Sequence, residues 1–581
     1  MKQTQTIRAQ DPKEIEKELG EFLNKKFGRN VRIISPSAQP QKSSVNGVTP
    51  NKGKKGLVDF TIKPAELIAY LDQYVVRQNQ AKSILATKIC THFNRIRHQE
   101  TREDKGSKIT GNIKSNILML GPTGIGKTYL IKLIARKIGV PFVKADATKF
   151  SETGYVGGDV EDLIRDLVKE AEDDIELAEC GIVYLDEIDK IAASPDVIGA
   201  QVSRSGVQRA LLKPMEETEV DLKVPHDPVS MMQELERFQR TGERVVRRVN
   251  TANILFILSG AFTGLTDLVR QRLIRQTIGF NSRLSTTDDE ISLLKQTRAE
   301  DLVKFGFESE FIGRVPVRCI LETLSETDLY TILKMPNNPV ILNKRLDFAA
   351  YGIDIVFEDD ALALLAHRAF KENTGARGLV SAVEDALLPF EEKLPSCRIS
   401  RLVVTREVIN DPLGTLDDLL SSTPAHDWES LHKKASETQI HYITRYIQEN
   451  ADNLFATHGL NLSAARCEMA ARYFHGHVLE VDDAVSRIKT HYDTVKEIER
   501  EFSRNLGIDI LFEDDAVDFL MLQIMDHGAS ADDILSKLHN ALYDGLNLIK
   551  EKTGKHRFFM TKADLQDSDA YLNQLIRKEI K

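Results

Sequence analysis

The sequence predicts an α/β fold built on a parallel sheet with helices on both faces. Three observations carry that expectation. Residues 121–128, GPTGIGKT, lie between the apolar run NILML (116–120) and a segment whose Leu130, Ile134 and Ile138 recur every fourth residue as one helix face. Residues 181–189, GIVYLDEID, form a continuous apolar strand that ends in two adjacent carboxylates, Asp186 and Glu187. Further apolar runs at PFVKADA (141–147), 253–259 and 317–321 bring the strands to five, alternating with helical stretches.

Strand, glycine-rich turn, helix is the order of a phosphate-binding P-loop. Its glycines let backbone N–H groups curl around a β-phosphate, and the helix N-terminus adds a favourable dipole. Lys127 is expected to reach the β- and γ-phosphates, and the Thr128 hydroxyl to ligate Mg²⁺. The candidate nucleotide-binding residues here are Gly121, Pro122, Thr123, Gly124, Ile125, Gly126, Lys127, Thr128 and Tyr129. Parallel sheets place ligand sites at the C-terminal ends of their strands, where Asp186 and Glu187 fall. Asp186 is expected to hold Mg²⁺ through its water shell, joining Thr128. Glu187 would orient and polarise the water that attacks the γ-phosphate. The expected ligands are ATP and Mg²⁺.

With 581 residues, the chain has room for about three or four domains. Its 78 Lys and Arg against 87 Asp and Glu give a net charge of −9, which argues against nucleic acid as the main partner. The five cysteines are scattered without a CxxC, as in reduced thiols of a cytosolic protein. The N-terminus has no apolar core for a signal peptide, and no apolar run approaches the ~18 residues of a membrane span. A cytoplasmic protein without a membrane anchor is expected.

Residues 1–34 read as a small N-terminal module: Asp11-Pro12 can start a helix, and VRII (31–34) suits a strand. Residues 35–57, rich in Ser, Pro, Asn, Gly and Lys, read as a flexible linker. The nucleotide-binding domain is expected over 58–335, opening with a helix at Lys63-Pro64 that carries Leu67, Leu71 and Val75 on one face. A smaller α/β unit follows over 336–412, helical across 357–395 and closed by a short strand, RLVVT (401–405). A helical connector is expected over 413–499, with a last unit over 500–581.

GPTGIGKT, ADATKFSETGYVG, GIVYLDEIDKI, GVQRALLK, ILFILSGAF, EFIGRVPV and TGARGL follow one another in the order of the ClpX-type AAA+ unfoldases, with HslU next closest. The resemblance spans residues 60–410. It implies an AAA+ ATPase, a homo-hexameric ring that unfolds protein clients and feeds a ClpP-like peptidase. The chain carries no peptidase signature of its own. The resemblance assigns Arg314, in EFIGR, as an arginine finger reaching the neighbouring subunit, a device worth about 10³–10⁵ in rate. Arg377, in GARGL, becomes the sensor arginine that contacts nucleotide from the small domain. Val75 and Val76 match the segment that packs on adenine, although Arg77 stands where the family usually has glycine. Tyr155 and Val156, between glycines, match the pore loop that grips polypeptide. Ile278, Gly279 and Phe280 match the loop that docks on the peptidase; a loop packed on its own domain is the other reading.

Three departures limit the transfer. The N-terminus lacks the clustered cysteines of the family's zinc domain. An unrelated insert, 221–248, replaces the pore-entrance segment. The chain also runs about 170 residues past the family's usual end. That extension holds an internal repeat: GIDIVFEDDA at 352 recurs as GIDILFEDDA at 507, an offset of 507 − 352 = 155. Arg377 maps to Asp532, and a carboxylate cannot stabilise a γ-phosphate. Residues 500–581 therefore read as a degenerate second small domain, serving either recruitment or ring stability. Because every motif lies upstream, deleting 415–581 is expected to leave assembly and basal ATPase largely unchanged. A stand-alone remodelling chaperone and a nucleotide-gated scaffold are the rival functions.

Overall fold

The central sheet orders its strands as Phe142–Asp146, Ile182–Asp186, Leu255–Gly260, Ile117–Leu120 and Val317–Ile320, and that order is what assembles the site. In this computed structural model the described residues are 60–101, 114–150, 158–192, 201–222, 247–277, 290–421 and 426–579. All belong to one compact unit, Lys54–Lys581. The module expected over 1–34 and the linker expected over 35–57 lie outside them.

In chain order come α1 (Pro64–Asp72), α2 (Asn79–Thr101), β1 (Ile117–Leu120), α3 (Lys127–Ile138), β2 (Phe142–Asp146), α4 (Asp162–Glu170), β3 (Ile182–Asp186) and α5 (Gln201–Met215). A two-stranded antiparallel ribbon of β4 (Glu219–Asp221) and β5 (Arg248–Asn250) flanks the insert. Then follow β6 (Leu255–Gly260), α6 (Leu265–Thr277), three short helices α7 (Glu290–Lys295), α8 (Ala299–Phe305) and α9 (Ser309–Gly313), and β7 (Val317–Ile320). The five sheet strands pair in parallel throughout. Alternate residues face opposite layers, the period-2 geometry of a strand. Met119, Tyr184 and Ile257 pack with Leu85, Phe93 and Ile134 of α2 and α3. Leu118, Leu185 and Leu258 pack with Leu163, Leu167 and Leu211 of α4 and α5. Both faces are covered, which is why the strands read as unbroken apolar runs.

The small domain comprises α10 (Glu326–Lys334), α11 (Pro339–Ala349), β8 (Asp354–Phe357), α12 (Asp359–Lys371), α13 (Arg377–Lys393), β9 (Arg401–Val404), α14 (Arg406–Asn410) and α15 (Pro412–Leu420). Its first helix, α10, lies before residue 336, the expected start of this unit. Leu329 and Leu333 of α10 are buried in the same core as Phe348, Leu365 and Leu387, so the domain begins with Ser325, the cap of α10.

The extension holds α16 (Trp428–Glu449), α17 (Ala451–His458), α18 (Ala464–Gly476), α19 (Val481–Leu506), β10 (Asp509–Phe512), α20 (Asp514–His527), α21 (Ala531–Thr553), β11 (Arg557–Met560), α22 (Lys562–Gln566) and α23 (Ser568–Glu579). The boundary expected at 499/500 falls inside α19. One core runs from Ile443 through Phe502 to Tyr571, so connector and repeat are a single folded body.

The repeat extends to backbone detail. β8 pairs in parallel with β9, and β10 with β11, from Asp354↔Arg401 and Asp509↔Arg557 respectively. The Thr405 side chain caps Val408 and Thr561 caps Asp564; Asp411 caps the next helix in one copy and Asp567 in the other. Asp532, in place of Arg377, is exposed in the first turn of α21.

Candidate functional site

Backbone geometry places the P-loop. Gly126, φ +87°, caps α3, and a Cβ there would meet nothing within 4 Å, so the turn leaves an open cradle at a helix N-terminus. Lys127 Nζ donates to the carbonyls of Gly121 (2.6 Å) and Pro122 (2.7 Å), which arches the side chain over the loop. Burial draws its ammonium below the usual lysine range, opposed by the carboxylates of Asp186 and Asp189.

The strand order sets β6 between β1 and β3, so Ser259 stands between the P-loop and Asp186. Tyr184 donates to Ser259 Oγ (2.7 Å), and Ser259 donates to Asp186 Oδ1 (2.6 Å). Thr128 Oγ1 lies 3.2 Å from the Tyr184 hydroxyl and 3.3 Å from Asp186 Oδ2. The Lys144 ammonium approaches Asp186 Oδ2 to 3.1 Å. Burial alone would raise the Asp186 carboxyl, but the hydrogen bonds from Ser259 and Lys144 hold it below its ordinary value, as an anion. Burial pushes the Tyr184 phenol up to about 12, so it stays protonated and donating. Thr128 Oγ1 and Asp186 Oδ2 thus stand side by side, two oxygen donors of the hard kind Mg²⁺ prefers. Glu187 follows at φ +56°, an uncommon conformation for a residue with a Cβ, its N–H on Asp186 Oδ1 at 3.1 Å. Its side chain is exposed into the cleft.

The cleft has a volume of about 550 Å³ and lies between the sheet domain and the small domain. Tyr74, Val75 and Val76 form one wall, Ile332 and Met335 line the junction, and Arg377 enters from the small domain. Arg377 is held close because Ala376 N–H donates to the Gly124 carbonyl at 2.8 Å. Arg77 adopts φ +60° and Gln78 φ +59°, so the backbone takes the turn a glycine would favour. Tertiary contacts offset the cost. Arg77 pairs with Glu322 (3.1 Å) and Asp328 (3.0 Å), and the Gln78 amide bonds the Glu322 backbone in both directions.

Arg314 is not in this cleft. It is half-exposed at the end of α9, paired with Glu216 at 2.5 Å, while Asn116 holds its carbonyl. Tyr155, Val156, Ile278, Gly279 and Phe280 lie outside the described residues. Sequence reasoning missed Tyr74, Lys144, Tyr184 and Ser259. A serine at the end of an otherwise apolar, fully buried strand was the available signal for Ser259.

Residues 112–318 match the family model described as AAA domain (Cdc48 subfamily), and 324–390 the C-terminal, D2-small domain, of ClpB protein. The chain is 38% identical over 353 residues to the ATP-dependent Clp protease ATP-binding subunit ClpX of Treponema denticola, covering 60% of this chain and 81% of that protein. It is 38% identical over 368 residues to the proteins of the same name from Borrelia duttonii and Borrelia recurrentis, covering 62% of this chain and 80% of each relative.

Proposed function

This chain belongs to the ClpX family of ATP-dependent Clp unfoldases, and from that premise we propose that it unfolds and translocates client proteins and delivers them to a ClpP-like peptidase. It is an ATPase and not itself a peptidase. The observation that carries the proposal is the cleft, where P-loop, Asp186 and Glu187 from one domain meet Arg377 from another. A site shared by two domains links what is bound in it to the angle between them.

Lys127 and the P-loop N–H groups would bind the β- and γ-phosphates. Thr128 and Asp186 would hold Mg²⁺, which supplies charge neutralisation between the phosphates. Glu187 would orient the attacking water and take up its proton at the carboxylate. Arg377 would bind the γ-phosphate side and draw the small domain with it. Arg314, which pairs with Glu216 and does not line its own cleft, would serve the next subunit of a homo-hexamer. Tyr155 and Val156 would grip the client; Ile278, Gly279 and Phe280 would dock the peptidase. We place this activity in the cytoplasm.

A folded fluorescent client, ATP and a ClpP-like peptidase test the proposal. Glu187→Gln should still bind ATP and assemble, while turnover falls about 10²–10⁴-fold, because the amide cannot take a proton. Lys127→Ala should lose ATP binding itself. Wild-type turnover in Glu187→Gln would sink the mechanism, and ATP hydrolysis without client unfolding would leave an ATPase serving as a scaffold.

A further inference from the structure

Helix α19 of the extension begins against the nucleotide cleft. Its N-cap, Glu480, makes no capping bond to its own helix. Both carboxylate oxygens instead accept from Arg136 of α3, at 2.8 and 2.9 Å, and Oε2 also accepts the Tyr74 hydroxyl at 3.0 Å. Asp482 lies 3.4 Å from the same hydroxyl. The Val481 N–H donates to Asn337 at 2.8 Å, in the segment joining α10 to α11. One helix start thus touches the P-loop helix, the wall of Tyr74, Val75 and Val76, and the junction between the domains.

We propose that Glu480 is a positioning residue for nucleotide binding: through Arg136 and Tyr74 it fixes the wall that Val75 and Val76 present to the cleft. The C-terminal extension thereby sets nucleotide affinity within its own chain. A two-pronged guanidinium–carboxylate pair fixes direction as well as distance. Tyr74 is buried, and its hydroxyl needs an acceptor if the ring is to stay in that wall. Arg136 is more than half exposed, so the pair adds little to global stability. Its effect belongs in affinity.

The inference rests on the nucleotide reading of the cleft, and the experiment separates the two. Full-length wild type, Lys127→Ala, Glu480→Gln, Tyr74→Phe and the Glu480/Tyr74 double variant are titrated with a fluorescent ATP analogue and assayed for ATPase and Tm. Glu480→Gln is expected to raise Kd and KM for ATP about three- to tenfold. Its kcat should stay within about twofold and its Tm unchanged. The double variant should lose little more than either single, because both changes cut one link. Unchanged affinity in Glu480→Gln, additive losses in the double, or a matched fall in kcat and Tm would each overturn the proposal. If wild type binds the analogue no better than Lys127→Ala, the cleft reading falls and takes this inference with it.

Discussion

Gly124→Ala tests whether the P-loop and the small domain close on one another. Gly124 sits at φ +77°, and an added Cβ would stand 2.0 Å from the Thr374 carbonyl oxygen, a backbone atom with no rotamer to yield. The left-handed conformation costs about 1–2 kcal/mol once a Cβ is present. Moving the small domain aside would also break the Ala376-to-Gly124 hydrogen bond, a further loss of about 0.5–1.5 kcal/mol. Arg377 follows Ala376 directly and retreats with it. Because the left-handed cost is the same with the cleft open or closed, the penalty specific to the closed cleft starts from the lost hydrogen bond, about 0.5–1.5 kcal/mol or roughly 2- to 12-fold in ATP affinity, and the retreat of Arg377 adds to it. Gly352→Ala is the control: its φ is +76°, but a Cβ there meets nothing within 4 Å. It should lower Tm with ATP binding intact. Equilibrium binding of a fluorescent ATP analogue, read beside Tm, distinguishes the two. If Gly124→Ala bound ATP within about twofold of wild type while Gly352→Ala lost comparable stability, the contact would have no part in nucleotide binding.

Other substitutions address the remaining roles. Arg314→Ala should lower kcat by about 10³ or more, and mixing it with Lys127→Ala subunits should restore part of the rate if the finger works in trans. No recovery in mixed rings would place the arginine's action within its own subunit. Tyr155→Ala should keep ATPase activity while client unfolding falls sharply, since it removes grip and not chemistry; equal unfolding would give the loop another role. Phe280→Ala should weaken peptidase binding with unfolding preserved, measured by co-sedimentation of the two proteins. Undiminished binding would make that loop a structural one.

The parts legible in the sequence are those whose residues act on near neighbours. The P-loop, the Asp186–Glu187 pair and the strand runs each lie within a dozen residues, where periodicity and glycine placement carry the physics. The repeat was legible because caps and apolar phase must recur wherever the same fold recurs. What escaped needs strand order. Lys144, Tyr184 and Ser259 lie on three strands, and nothing local says that β6 separates β1 from β3. Arg77 could be read only as a departure, because Glu322 and Asp328, which hold its backbone, are more than 240 positions away. Motif positions alone also suggested that losing 415–581 would spare basal ATPase. Glu480 on Arg136 and Tyr74 is a physical reason to expect weaker ATP binding instead.

The duplicated fold explains how an extension comes to touch this cleft at all. In the first copy, the helix before the leading strand is α11, which starts at Pro339 beside Asn338 in the cleft lining. By the 155-residue offset its counterpart would start at position 494, yet α19 starts at Val481, 494 − 481 = 13 residues earlier. At 1.5 Å per residue those residues lengthen the helix by about 20 Å. The added turns bury Val481, Val485 and Ile488 in the extension's own core, so the lengthening is supported along its side. Its end carries Glu480 to Arg136. The second copy gave up the arginine that would have touched nucleotide directly, and its leading helix reaches the protein around the nucleotide instead.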